Sequence, residues 1–299
     1  WQVTGVQTCA LPISAFAETL KPNTAAKYRI TFDEFSRFTG KTFPECTDAD
    51  VLAYEKYLNS MENNHKITHS THYTKISVLR SLANFVEKCG FYDNYKNPFS
   101  MALVERNSLE IDNYTIPQLE DLEILLKAAR DNIRDYLIFV LVMKCALNTR
   151  QICMLTVDDI LNYNDHLVLS VFYARNNNKH HISLPQDVEN ILIKYLENFQ
   201  SEGSLFLNSR KKPLKERDLQ RLLKKYIMQV KDSLYKKDFT IAEMRHAGII
   251  YMMAGGADSA DISSYVGLTD SARLKSRYKR AAAVSLNNPA EYSILSVHG

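Results

Sequence analysis

Apolar residues recur at three- and four-residue steps along most of this chain, a period that predicts a mainly helical protein. TAAKYRITFDEFSRFTG sets Tyr28, Phe32, Phe35 and Phe38 on one helical face, begins behind Pro22 and Asn23, and stops at Gly40. TDADVLAYEKYLNSM follows a Thr47 cap, and a longer helix near residues 68–88 gathers Ile76, Leu79, Leu82, Ala83 and Val86 on one side. With NPF at 97–99 as its exit, the stretch 15–103 reads as a small all-helical domain. Residues 104–114 are polar without a period and suit an interdomain linker.

A second domain then runs over 115–299. IPQLEDLEILLKAA and NIRDYLIFVLVMKCAL predict two helices, and HLVLSVFYARNNNKHHISLP predicts β-rich segments around an Asn-rich turn, a sheet of three short strands at most. DVENILIKYLENF, KERDLQRLLKKYIMQV, IAEMRHAGIIYMMA and the run 259–266 return to helix. The most apolar stretch, 136–143, meets Lys144 at once. It is far shorter than the roughly 20 residues of a bilayer span, so it predicts a buried helix and no membrane partner.

Composition adds little until the charge is placed. A net charge of +3 on 299 residues identifies no partner by itself. Yet Arg210, Lys211, Lys212, Lys215, Arg217, Arg221, Lys224, Lys225, Lys231, Lys236 and Lys237 crowd into 28 positions, and RLKSRYKR adds Arg273, Lys275, Arg277, Lys279 and Arg280 around Tyr278. Such clusters neutralise backbone phosphates; the other reading is a solvated face on amphipathic helices. The five cysteines, Cys9, Cys46, Cys89, Cys145 and Cys153, form no CxxC pair and no ligand spacing with histidine. That spacing argues against a structural metal or a disulfide framework and favours a reducing compartment, here the cytoplasm. VTGVQTCALPI, 3–13, matches the translation of a common sequencing-library adapter. Residues 1–14 are therefore expected to be foreign to the protein, with its true N-terminus missing.

Four words in the second domain carry chemistry: CALNTRQICMLTVDDI, the hairpin ahead of ISLP, FTIAEMRHAGIIYMMAGGAD, and DISSYVGLTDSARLKSRYKR. In this order, behind a helical domain ending in NPF, they resemble the tyrosine recombinase (phage integrase) family. The resemblance covers about residues 20–289. It implies a helical, SAM-like core-binding domain followed by a mixed α/β catalytic domain, the two clamping duplex DNA. Within the first word, a Gly-Leu-Arg-like turn running on to Leu-Thr-x-x-Asp-Ile, the resemblance places Arg150 at the first catalytic arginine, with Cys153 where an acidic residue is usual. In the second it places Arg175 at the hairpin lysine, with Lys179 on the same turn as the alternative ammonium. In the third it places Arg245 at the second arginine, with His246 beside it and Ala242 where a histidine is usual. In the fourth, Gly267 matches a glycine, Leu268 replaces histidine or tryptophan, and Tyr278 falls at the nucleophile.

The family's chemistry joins the tyrosine oxygen to a scissile phosphate as a 3′-phosphotyrosyl link. The arginines stabilise the phosphorane-like transition state, and no cofactor or metal is required. The resemblance further implies double-stranded DNA as partner, a homo-tetramer on paired sites, and an accessory directionality protein. Residues after Tyr278 hold an apolar strip suited to packing on a neighbouring subunit or back on their own core. Arg175, Ala242 and Leu268 alter the proton-transfer and donor set, so three readings stand: a working divergent recombinase, a weak or silent relative that binds DNA as regulator or partner subunit, and a helical protein whose charge is coincidental.

Overall fold

The computed structural model describes residues 5–100, 116–173, 178–197, 199 and 203–267, with side chains from residue 12 onward except at 23. The chain divides into two compact units, Trp1–Ser108 and Leu109–Gly299. The described residues are mainly helical with one small antiparallel sheet.

Among the described residues of the first unit four α-helices form: α1 (Gly5–Glu18), α2 (Pro22–Thr39), α3 (Asp48–Asn63) and α4 (His69–Cys89). Most of α1 falls among the residues expected to be foreign, yet its Ile13 and Phe16 pack against the core. Helix α4 starts where Thr68 Oγ1 accepts the Thr71 amide and ends at Gly90, whose left-handed φ of 62° is open to glycine without a Cβ clash. All five residues predicted for its inner face are buried. The NPF word staples the unit shut. Asn97 Oδ1 accepts the Phe99 amide at 2.8 Å, Asn97 Nδ2 donates to Asn84 Oδ1 at 2.5 Å, and Phe99 lies wholly inside between Phe35 and Phe43.

In the second unit, α5 (Leu119–Ala129) and α6 (Ile133–Lys144) precede a short α7 (Thr149–Met154). Every residue of 135–143 is buried, as the apolar run predicts. Strands β1 (Ile160–Tyr163), β2 (His166–Tyr173) and β3 (Asn178–Ser183) pair antiparallel in the order 1-2-3, with Leu169 opposite both Ile160 and Ile182. Then come α8 (Gln186–Glu197), α9 (Glu216–Val230), α10 (Ile241–Ala254) and the seven-residue α11 (Ser259–Tyr265). No described helix is long and apolar enough to cross a membrane.

Two buried carboxylates tie together segments distant in sequence. Asp135 accepts Tyr226 Oη from α9 at 2.9 Å and Arg134 Nε at 2.8 Å, and Asp121 accepts the amides of Tyr235 and Lys236 at 2.7 and 3.2 Å. Helix α10 lies close on α6 because position 248 is glycine. A Cβ there would run into the carbonyl oxygen of Met143.

Candidate nucleic-acid site

Helix α10 begins with a reciprocal cap: Thr240 Oγ1 accepts the Glu243 amide at 3.2 Å, and Glu243 Oε2 accepts the Thr240 amide at 2.7 Å. One turn in, Arg245 is half-buried, and its Nε donates to the Ala146 carbonyl at 2.5 Å. That bond fixes the plane of a group whose five N–H donors form a rigid fork for phosphate oxygens. His246 follows, half-buried, while Ala242 is exposed three positions before Arg245 and offers no donor.

Ala146 sits in the turn between α6 and α7 with φ +50°, a left-handed backbone that favours glycine. Counted from this left-handed place, the third residue of the word is Asn148, and Arg150 lies two residues further on. Asn148 is exposed and caps α7: its Oδ1 accepts the Gln151 amide at 3.0 Å, and Gln151 Oε1 accepts the Asn148 amide at 2.8 Å. Arg150, two residues on, is turned about 200° around the helix axis. Its guanidinium lies over the Phe172 ring of β2, 5.5 Å from the centroid. Arg245 is thus aimed at the turn into α7, and Arg150 at the sheet. Burial pushes the Cys153 thiol up to about 12, so this residue carries no negative charge to support Arg150 at neutral pH.

Lys179 is expected on the hairpin turn, but pairing continues to Tyr173 opposite Asn178, and Lys179 stands within β3 opposite Phe172. Its ammonium is ion-paired with the buried carboxylate of Asp159, which also accepts the Thr156 amide at 2.9 Å and Thr156 Oγ1 at 2.8 Å. Burial works to raise the Asp159 carboxyl, yet the bonds from Lys179 and Thr156 outweigh it and hold the group below its ordinary value. Arg175, Leu268, Arg277 and Tyr278 lie outside the described residues.

The basic cluster has a built centre. Asn208 Oδ1 accepts the amides of Arg210 and Lys212 at 2.9 and 3.1 Å, closing a turn with Lys211 at φ +57° that presents Arg210, Lys211 and Lys212 to solvent. Lys215 precedes α9, whose buried face carries Leu219, Leu223, Tyr226 and Ile227. Arg221 and Lys224 are exposed on the side away from it, and Lys225 is exposed with its ammonium 5.0 Å from the Tyr226 ring centroid. Among the described residues no group of three metal-ligating side chains is gathered.

Residues 117–284, more than half of the chain, match the phage integrase family, and this chain belongs to that family. A tyrosine recombinase of Pseudothermotoga lettingae is 27% identical over 142 residues, which are 47% of this chain and 48% of that protein. The chain therefore matches about half the length of that curated relative. In fold it resembles the Tn1549 transposon integrase in complex with transposon right end DNA, with TM-score 0.72, 15% identity, and coverage of 92% of this chain and 97% of that one. It also resembles a lambda integrase tetramer bound to a Holliday junction, with TM-score 0.70, 14% identity, and coverage of 92% and 77%.

The family reading holds on the match over residues 117–284. Sequence reasoning missed Asn148 and Asp159. The first was available by placing Ala146 at the glycine of the turn; the second depended on a partner 20 residues away.

Proposed function

We propose that this chain is a site-specific tyrosine recombinase that clamps duplex DNA and cuts and rejoins its strands through Tyr278. The phenol oxygen of Tyr278 attacks the scissile phosphorus, the bond to the 5′ oxygen breaks, and a 3′-phosphotyrosyl link keeps the bond energy. The phenol loses its proton and the departing 5′ oxygen gains one. In the reverse sense a 5′ hydroxyl of the partner strand attacks the link and frees the tyrosine. The observation that carries the reading is the guanidinium of Arg245, locked by the Ala146 carbonyl inside a domain of this family. It serves as the phosphate clamp, with Arg175 as a further phosphate contact and His246 beside it. Lys179, paired with Asp159, fits a structural role better than proton donation.

The working assembly is a homo-tetramer on two paired DNA sites in the cytoplasm, in line with the tetramer on a Holliday junction formed by lambda integrase. A plasmid carrying two copies of a flanking site of the source element is the test. The wild-type chain gives the rearranged junction in cells and Tyr278→Phe gives none; no junction from either ends the reading.

Arg210, Lys211, Lys212, Lys215, Arg221, Lys224, Lys225 and Arg277 form the backbone-binding surface in this reading. Affinity for duplex DNA, measured by fluorescence anisotropy, falls linearly on a log–log plot as salt rises. Replacing Arg210, Lys211 and Lys212 together by alanine reduces the slope by about 2 to 3, at about 0.9 for each phosphate no longer neutralised. An unchanged slope places the phosphates elsewhere.

A second reading, a DNA-binding relative with weak or silent chemistry that serves as regulator or partner subunit, is favoured by Asn148 and Ala242 at donor positions. Asn148→Arg separates the two. If the site is attenuated for want of a guanidinium there, this variant raises the junction yield on the order of tenfold or more. An unchanged yield sets the cause of weak chemistry elsewhere.

A further inference from the structure

Helix α11 ends on Tyr265, whose Oη donates to the carbonyl of Ser183, the last residue of β3, at 3.1 Å. The same hydroxyl meets the thiol of Cys145, a buried residue in the turn between α6 and α7. Burial pushes both groups up, the thiol to about 12, so both keep their protons at neutral pH. The Tyr265 proton goes to Ser183, which leaves the phenol oxygen to accept the Cys145 S–H. One hydroxyl thus ties α11, the sheet and the α6–α7 turn together.

That turn is also what fixes Arg245. Ala146 follows Cys145 directly, has a left-handed φ of +50°, and turns its carbonyl to Arg245 Nε at 2.5 Å. An alanine keeps such a backbone only where its surroundings over-determine it. The Cys145 and Leu147 amides both donate to the Leu141 carbonyl, at 3.2 and 3.3 Å, and Asn148 starts the cap of α7. The Cys145 side chain, held against Tyr265, supplies the remaining anchor next to Ala146. We propose that Tyr265 is a positioning residue: through Cys145 it fixes the turn that presents the Ala146 carbonyl, and so sets the plane in which Arg245 offers its fork to phosphate. This rests on the reading of Arg245 as the phosphate clamp. A displacement of about 1 Å at a reacting group costs on the order of 10²-fold in rate, so a support for the guanidinium is felt in the chemical step more than in duplex binding.

Three variants and two readouts on the full chain test it. The Nε–H resonance of Arg245, followed by proton–nitrogen NMR of arginine-labelled protein, reports its bond to Ala146 directly. Tyr265→Phe keeps the ring and removes the hydroxyl; the resonance shifts and its exchange with solvent quickens about tenfold, because the turn opens more often. Cys145→Ala, which removes the S–H, gives the same change, and Cys145→Ser, which keeps a donor at that place, stays near wild type. In single-turnover assays on a nicked duplex, Tyr265→Phe and Cys145→Ala lower the rate of covalent adduct formation about tenfold and leave the duplex Kd within about twofold. A resonance unmoved in both variants overturns the proposal, as do wild-type adduct rates in both. If the wild type forms no adduct but the resonance answers to both variants, the positioning of Arg245 stands and the proposed strand cleavage falls.

Discussion

Arg245→Ala lowers single-turnover strand cleavage by about 10²- to 10³-fold, the usual cost of removing one donor aimed at developing transition-state charge. Duplex affinity changes much less, because under the proposed function Arg245 is one contact among the many phosphates assigned to the surface around Arg210–Lys225. The two effects part because Arg245 is fixed before DNA arrives: its Nε is committed to the Ala146 carbonyl at 2.5 Å, so the fork needs little reorganisation when phosphate charge develops. Arg245→Lys keeps the charge but gives up both the planar fork and the Nε bond, and it recovers only a small part of the rate. Cleavage kinetics and anisotropy on one duplex check this. A rate that falls only in proportion to affinity removes Arg245 from the chemistry.

Gly248→Ala destabilises the second unit by about 1–3 kcal/mol, the range for forcing an extra methyl into a packed interior. Alanine for glycine inside a helix gains roughly 0.5–1 kcal/mol, so the sign turns on whether α10 can move. Here the added Cβ meets the backbone carbonyl of Met143 rather than the end of a flexible side chain, and α10 must retreat from α6. A loss of several degrees in Tm follows, read by circular dichroism. Gly248 is three residues from Arg245 on the same helix, so that retreat also draws the guanidinium away from Ala146. Cleavage therefore falls at temperatures where the variant is still folded. An unchanged Tm means α10 has slack on α6 that the structure does not show.

The elements legible in the sequence are those whose period is long enough to count. Helices α4 and α9 each present a buried stripe against an exposed one, and the hairpin announces itself by β-rich runs around an Asn-rich turn. Helix α7 is not legible: six residues give no period, and what defines it is the Asn148–Gln151 cap. Arg150 stands out as the arginine of the word, whereas counting from the left-handed backbone at Ala146, which the sequence does not announce, puts Asn148 in the third place. Lys179 reads as a turn residue because nothing in the sequence says that strand pairing runs on to Asn178.

Buried charges are the least legible. Asp121 and Asp135 look like ordinary surface carboxylates in helical text, and their role depends on Tyr235 and Tyr226, 114 and 91 residues away. The contact that Tyr265 makes with Cys145 is of the same kind, one between two residues that local pattern cannot pair.

Covalent capture on a nicked suicide duplex, carrying flanking sites of the source element, tests the central claim most directly. The chain without residues 1–14 is incubated with labelled DNA and run on a denaturing gel beside Tyr278→Phe. The account predicts a slow-migrating protein–DNA band in the first lane and none in the second. Duplex shifted on a native gel, with no covalent band from either protein, contradicts strand cleavage by this chain and leaves it a DNA-binding member of the family.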